Sequence, residues 1–145
     1  METKRFELRV LLTCTTGRLI TKGKEGDNGI GGLYELLGWM TNDSPFTHQL
    51  GRFSEECRPW LLEWFPELVK IGGTELQLLQ DTISLQGPKK GVDSWLKHVK
   101  TFQGLRDKYD VPRIPPKAHA IKDPVEEFVE MMQGKKIIAL ETPDA

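Results

Sequence analysis

Val92, Trp95, Leu96, Val99, Phe102 and Leu105 fall at i, i+3, i+4, i+7, i+10 and i+13, a stripe that commits the segment to an amphipathic helix with one side covered. The spacing predicts a helix from Val92 to Tyr109, stopped by "VPRIPP", since a residue before proline is driven out of the helical region. Further helices follow from the same argument. "LYELLGWMT" places Leu33, Leu36, Leu37 and Met40 on one face of a helix over 32–41, and "NDSP" ends it. "SEECRPWLLEWF" reads as a helix capped by Ser54 and stopped by Pro66, with Pro59 marking a kink or a fresh start. "TELQLLQDTISL" is a fourth candidate, closed by "GPKKG". In "KDPVEEFVEMMQG", Asp123 is the N-cap, Pro124 the first helical residue and Gly134 the terminator, with Val125, Phe128, Val129 and Met132 as the face to be buried.

Strands are expected at the two ends. "FELRVLLTC" alternates Phe6, Leu8, Val10 and Leu12 against polar residues, with Leu11 as the exception, and "TTG" suggests a hairpin turning at a positive φ on Gly17. The apolar "KIIAL" near the C-terminus reads as a strand needing a partner, and the hairpin is the strong candidate. The expectation is an α+β fold: a small, mainly antiparallel sheet, built from an N-terminal hairpin and a C-terminal strand, packed against four to five helices. At 145 residues the chain fits one domain, 1–145, with a glycine-rich mobile loop over 23–31 and a Pro-rich extended connection over 110–122.

Twenty basic against 21 acidic side chains leave a formal charge of −1, so no net field draws the chain to nucleic acid or anionic lipid. Lys89, Lys90, Lys97, Lys100, Arg106 and Lys108 cluster, but Asp93, Asp107 and Asp110 lie among them, as on a solvated helix face. No stretch has the apolar length of a membrane span or a signal peptide. Cys14 and Cys57 lack C-x-x-C partners and suit reduced thiols in a cytosol. Cys14 and His48 could form a thiolate and its base, against the plainer reading of a small buried cysteine. His48, Cys57, His98 and His119 lack close ligand spacings, so neither a metal nor another cofactor is expected. No catalytic motif stands out.

The densest cluster of hydrogen-bonding groups is "FTHQLGR". Thr47, His48, Gln49 and Arg52 carry hydroxyl, imidazole, amide and guanidinium within six residues, and "TTGR" adds Thr15, Thr16 and Arg18. If the two segments converge they make a polar pocket, with Trp39, Phe46 or Tyr34 to stack on a base. Alternatively the cluster is structural, with Thr47 capping a turn, His48 and Gln49 satisfying buried backbone carbonyls, and Arg52 pairing with Glu55 or Glu56.

"VLLTCTTGRLIT" followed by "MTNDSPFTHQLGRFSEECRPWLLEWFPEL" resembles a family of small uncharacterised proteins carried by bacteriophages and prophages, in which TTGRL-like and THQL-x-R segments recur. The C-terminal "DPVEEFVEMM" resembles that family's ending, whereas residues 70 to 115 are not distinctive. The resemblance implies a phage origin and a cytoplasmic site of action in a bacterial host; it transfers no catalytic residue. Short phage proteins often inhibit host processes, which leaves three readings open. The first is a counter-defence binder that sequesters a small nucleotide signal, with a homo-oligomer enclosing the pocket. The second is a protein-interaction module that occludes a host protein's surface through aromatics such as Trp39 and Trp64. The third is a small hydrolase of a nucleotide signal.

Overall fold

The computed structural model describes residues 2–20 and 30–140, with side chains as far as Gln133. Strand β1 (Thr3–Glu7) leads into helix α1 (Leu8–Thr16), followed by α2 (Gly31–Thr41) and α3 (Leu50–Trp64). A helical hairpin, α4 (Gly73–Gln86) and α5 (Pro88–Gln103), precedes strand β2 (Lys108–Pro112), and α6 (Pro124–Leu140) comes last. The fold is α+β, with a two-stranded antiparallel sheet against helices.

The strands are not the expected ones. β1 pairs with β2, Phe6 opposite Tyr109 and Arg5 opposite Asp110, in place of an N-terminal hairpin. The period-two pattern ends at Glu7, and from Leu8 the chain is helical, burying Leu8, Leu11 and Leu12 at i, i+3 and i+4. Leu11, the residue that broke the alternation, was the sign of this switch. Gly17 does adopt positive φ, 74°, but as the left-handed cap of α1, its N–H bonded to Thr13 O at 3.1 Å. This unexpected helix brings the number of α-helices among the described residues to six.

The C-terminal strand is likewise corrected, because "KIIAL" continues α6 and Gly134 lies inside that helix. Without a strand to pair with, a run of apolar residues following a helix simply extends it. The strongest predicted helix is real but shorter, ending at Gln103 where Gly104 takes φ 70°. Tyr109 therefore belongs to β2, and the Pro-rich connection over 110–122 begins with the strand that completes the sheet. Ser54 sits inside α3 rather than capping it, since a 3₁₀ turn at Thr47–Gln49 runs straight into the helix at Leu50. Of the glycine-rich loop over 23–31, all but Ile30 and Gly31 lies outside the described residues.

The core is built from α1, α2, α3 and α5 together with the inner face of the sheet, and centres on Leu11, Leu37, Phe53, Leu61 and Trp95. α4 lies close along α5. A Cβ at Gly91 would stand 2.7 Å from the Ile83 Cα, so glycine there permits the contact. Two tryptophans tie layers together through their indole N–H groups: Trp39 donates to Val111 O at 2.7 Å, and Trp95 to Glu75 O at 2.8 Å.

Candidate functional site: an ionic clasp and an exposed helix face

The "FTHQLGR" residues all act at the start of α3. Gln49 is buried, its Oε1 accepting the Phe46 N–H at 3.0 Å while its Nε2 donates to Glu127 Oε1 at 2.8 Å. Arg52 grips the same carboxylate with two prongs, Nε to Oε2 at 2.7 Å and Nη2 to Oε1 at 3.0 Å. Its Nη1 reaches Glu56 Oε2 at 3.0 Å and Ala120 O at 2.7 Å. His48 Nε2 donates to Pro124 O at 2.8 Å, and its ring meets Phe128 edge-on. Thr47 shares a hydroxyl hydrogen bond of 2.5 Å with Tyr34.

A second knot adjoins the first. His119 Nδ1 is hydrogen-bonded to Glu56 Oε1 at 2.5 Å and its Nε2 to Asp43 Oδ2 at 2.8 Å, while the ring packs edge-on against Phe53. The electrostatics match the geometry. The Arg52 bonds hold the Glu127 carboxyl at about 2, against the opposing effect of burial, and the Glu127 carboxylate in turn raises Arg52. The bond from His119 lowers Asp43.

The expected companion segment faces elsewhere. Thr16 Oγ1 donates to Leu12 O at 2.6 Å and accepts the Arg18 N–H, and the Arg18 guanidinium donates to Gln80 Oε1 on α4. Thr15 Oγ1 is buried with no partner among the described residues. The backbones do come near each other: Arg58 of α3 donates to Cys14 O at 3.0 Å, and Gly17 and Gly51 border one hollow of about 280 Å³. None of the seven candidate side chains lines that hollow. The polar cluster thus divides into two structural sets, each with its own partners.

Of the three aromatics proposed for stacking, Trp39 carries the Arg113 guanidinium 4.0 Å above its ring, Tyr34 is engaged with Thr47, and Phe46 is exposed. Cys14 is buried against Ser54 O, and burial pushes its thiol up to about 12, so the thiolate that nucleophilic chemistry requires is strongly disfavoured. His48 contacts Phe46, Pro124 and Phe128. Among the described residues, no group of three or more His, Cys, Asp and Glu side chains is placed to hold a metal ion, and no helix is long and apolar enough to cross a membrane.

What the sequence reading missed is the outward side of α6. Glu127 faces the clasp at 7% exposure, so the apolar stripe expected to be buried turns to solvent, with Phe128 at 48% and Val125 at 70%. Phe46, His48, Pro124, Val125 and Phe128 frame a shallow apolar depression of about 340 Å³, with Asp123 on its rim. No sequence pattern marked Glu127, but its position roughly opposite Val125 around the helix was legible from the helical period.

Residues 6–71 match the model of a family described as a domain of unknown function (DUF7736). The matched segment contains Asp43, His48, Gln49, Arg52 and Glu56, and stops well before His119 and Glu127. No curated protein and no solved structure matches the chain.

Proposed function

We propose that the chain is a protein-interaction module, of the kind by which bacteriophage accessory proteins occlude a host protein in the bacterial cytoplasm, and that its contact surface is the outward face of α6. The observation that carries this reading is the exposed Val125, Phe128, Val129 and Met132 stripe on a helix whose inward side is pinned by a buried carboxylate. An apolar stripe at helical spacing beside a shallow depression fits an amphipathic helix laid against it. The rim carries the carboxylate of Asp123, so the occupant is an amphipathic helix with lysine or arginine beside its apolar residues. Nucleotide sequestration, the other binding reading, has less support because Gln49, Arg52 and Arg18 already donate to protein acceptors.

The test titrates the purified chain with a synthetic helical peptide bearing leucines at i, i+3, i+4 and i+7 and flanking lysines, next to a scrambled peptide and a panel of cyclic nucleotides. The expected result is protection of α6 from hydrogen exchange by the patterned peptide only, abolished by Phe128→Ser. Absence of that protection, or a thermal shift with a cyclic nucleotide that Phe128→Ser leaves intact, overturns the reading.

A further inference from the structure

We infer that the segment from Pro115 to Gln133 is a releasable arm, latched to α3 and the turn before it by ion pairs and charged hydrogen bonds more than by apolar packing. The buried apolar core ends in sequence at Ile114, whose N–H bond to Met40 O at 2.9 Å is the last backbone tie between this part of the chain and the helices among the described residues. Pro115 and Pro116 follow immediately. Beyond them, among the residues whose side chains are described, the buried ones are His119 and Glu127, both ionisable.

Apart from Ala118 resting against the core, the His119 ring on Phe53 and the Phe128 ring on His48, the attachments are polar. His119 reaches Asp43 and Glu56, the Ala120 N–H donates to Glu56 Oε2 at 2.9 Å, Ala120 O accepts from Arg52, Pro124 O accepts from His48, and Glu127 is held by Gln49 and Arg52. Arg52 is the hub, since its guanidinium touches the arm at two places and Glu56 besides.

The chemistry of these contacts is what makes the arm separable. An apolar contact, once opened, leaves hydrocarbon in water, whereas separated charges recover hydration that offsets much of the lost attraction. Undocking would uncover Phe53, which lies under His119 and beside Arg52. It would also turn Gln49 and Arg52 into an empty carboxylate receptor, a place for an acidic side chain of another protein. The groups facing His119 are Asp43 from the loop after α2 and Glu56 from α3; those facing Glu127 are Gln49 from the turn before α3 and Arg52 from α3, with Lys122 of the arm itself near enough to act on its charge. The inference stands whichever protein the outward face of α6 meets.

Hydrogen exchange on the full chain, comparing wild type with Glu127→Gln and Glu130→Gln, tests the latch. Glu127→Gln removes the ionic grip while keeping size, and Glu130→Gln makes the same charge change at an exposed residue of the same helix. The expected result is α6 amides exchanging about tenfold faster or more in Glu127→Gln, with the amides of α1 and α3 unchanged and Glu130→Gln like wild type. Tryptic cleavage at Lys117 and Lys122 should quicken in the same variant. Three results overturn the inference: unchanged α6 exchange in Glu127→Gln, a parallel rise in α1, α3 and α6, or an equal effect of Glu130→Gln.

Discussion

Glu127 and Arg52, 75 residues apart in sequence, meet in a two-pronged ion pair that decides which side of α6 faces the protein. Since the residues of a helix turn by a fixed angle, seating Glu127 inward sends Val125, Phe128, Val129 and Met132 outward. One carboxylate thus reverses the burial that the apolar pattern by itself would impose.

Acid should loosen this arrangement from the arm inward. The Glu127 carboxyl lies at about 2 in the folded chain against a usual 4.5, so the ionised form is the one that docking favours. Its stabilisation is complete above about 4.5 and is lost as the pH falls towards 2, and Asp43 shifts in the same direction. Hydrogen exchange over that range is expected to show α6 losing protection at higher pH than α1 or α3.

At Gly91 the expectation concerns packing alone. A methyl group there meets the Ile83 Cα at 2.7 Å and the Ile83 N at 2.9 Å, backbone atoms that cannot swing aside. Gly91→Ala should therefore force α4 and α5 apart and cost about 1–3 kcal/mol, despite alanine's better helix propensity. A lowered urea midpoint with an unchanged slope is the readout.

Trp39→Phe should be felt in the sheet. The substitution keeps an aromatic body between α2 and β2 but deletes the indole donor, leaving Val111 O, on a buried residue, without that bond. A loss of about 1–3 kcal/mol is expected by chemical denaturation, the cost of stranding a buried acceptor. Arg113, stacked on the ring and donating to Trp39 O, should remain in place.

Cys14 should behave as an inert thiol. It is buried and its ionisation is pushed up to about 12, and Cys57 is raised by burial as well. A thiol reagent at neutral pH is expected to label neither cysteine in the folded chain and both in urea. Rapid native labelling of Cys14 would contradict the structure.

The parts legible in the sequence are those governed by local periodicity and punctuation. α2, α4, the stripe on α5 and the Asp123 cap of α6 follow from residues a few positions apart; Asp123 Oδ1 accepts the Val125 and Glu126 N–H groups, as its place before Pro124 implies. The α+β class followed too, although from the wrong strands. In α1 a clean alternation overlapped a helical spacing, and Leu11 was the single residue favouring the helix. In the candidate site, the pairing of Arg52 with Glu56 is a helix neighbour relation and could be anticipated. Glu127 and Asp43 could not, because their partners lie some 75 residues away, Arg52 for the one and His119 for the other.

By itself, then, the sequence determined that helices fill the middle of the chain and which apolar stripes they carry, though not every boundary, and that polar donors gather around His48 and Arg52. Tertiary structure decided what those donors hold, which strand completes the sheet, and which face of α6 is buried. The physical reason is range: backbone propensity and amphipathic period act within a few residues, whereas the pairing of Phe6 with Tyr109 and of Arg52 with Glu127 depends on surfaces that exist only once α1, α2 and α3 have packed.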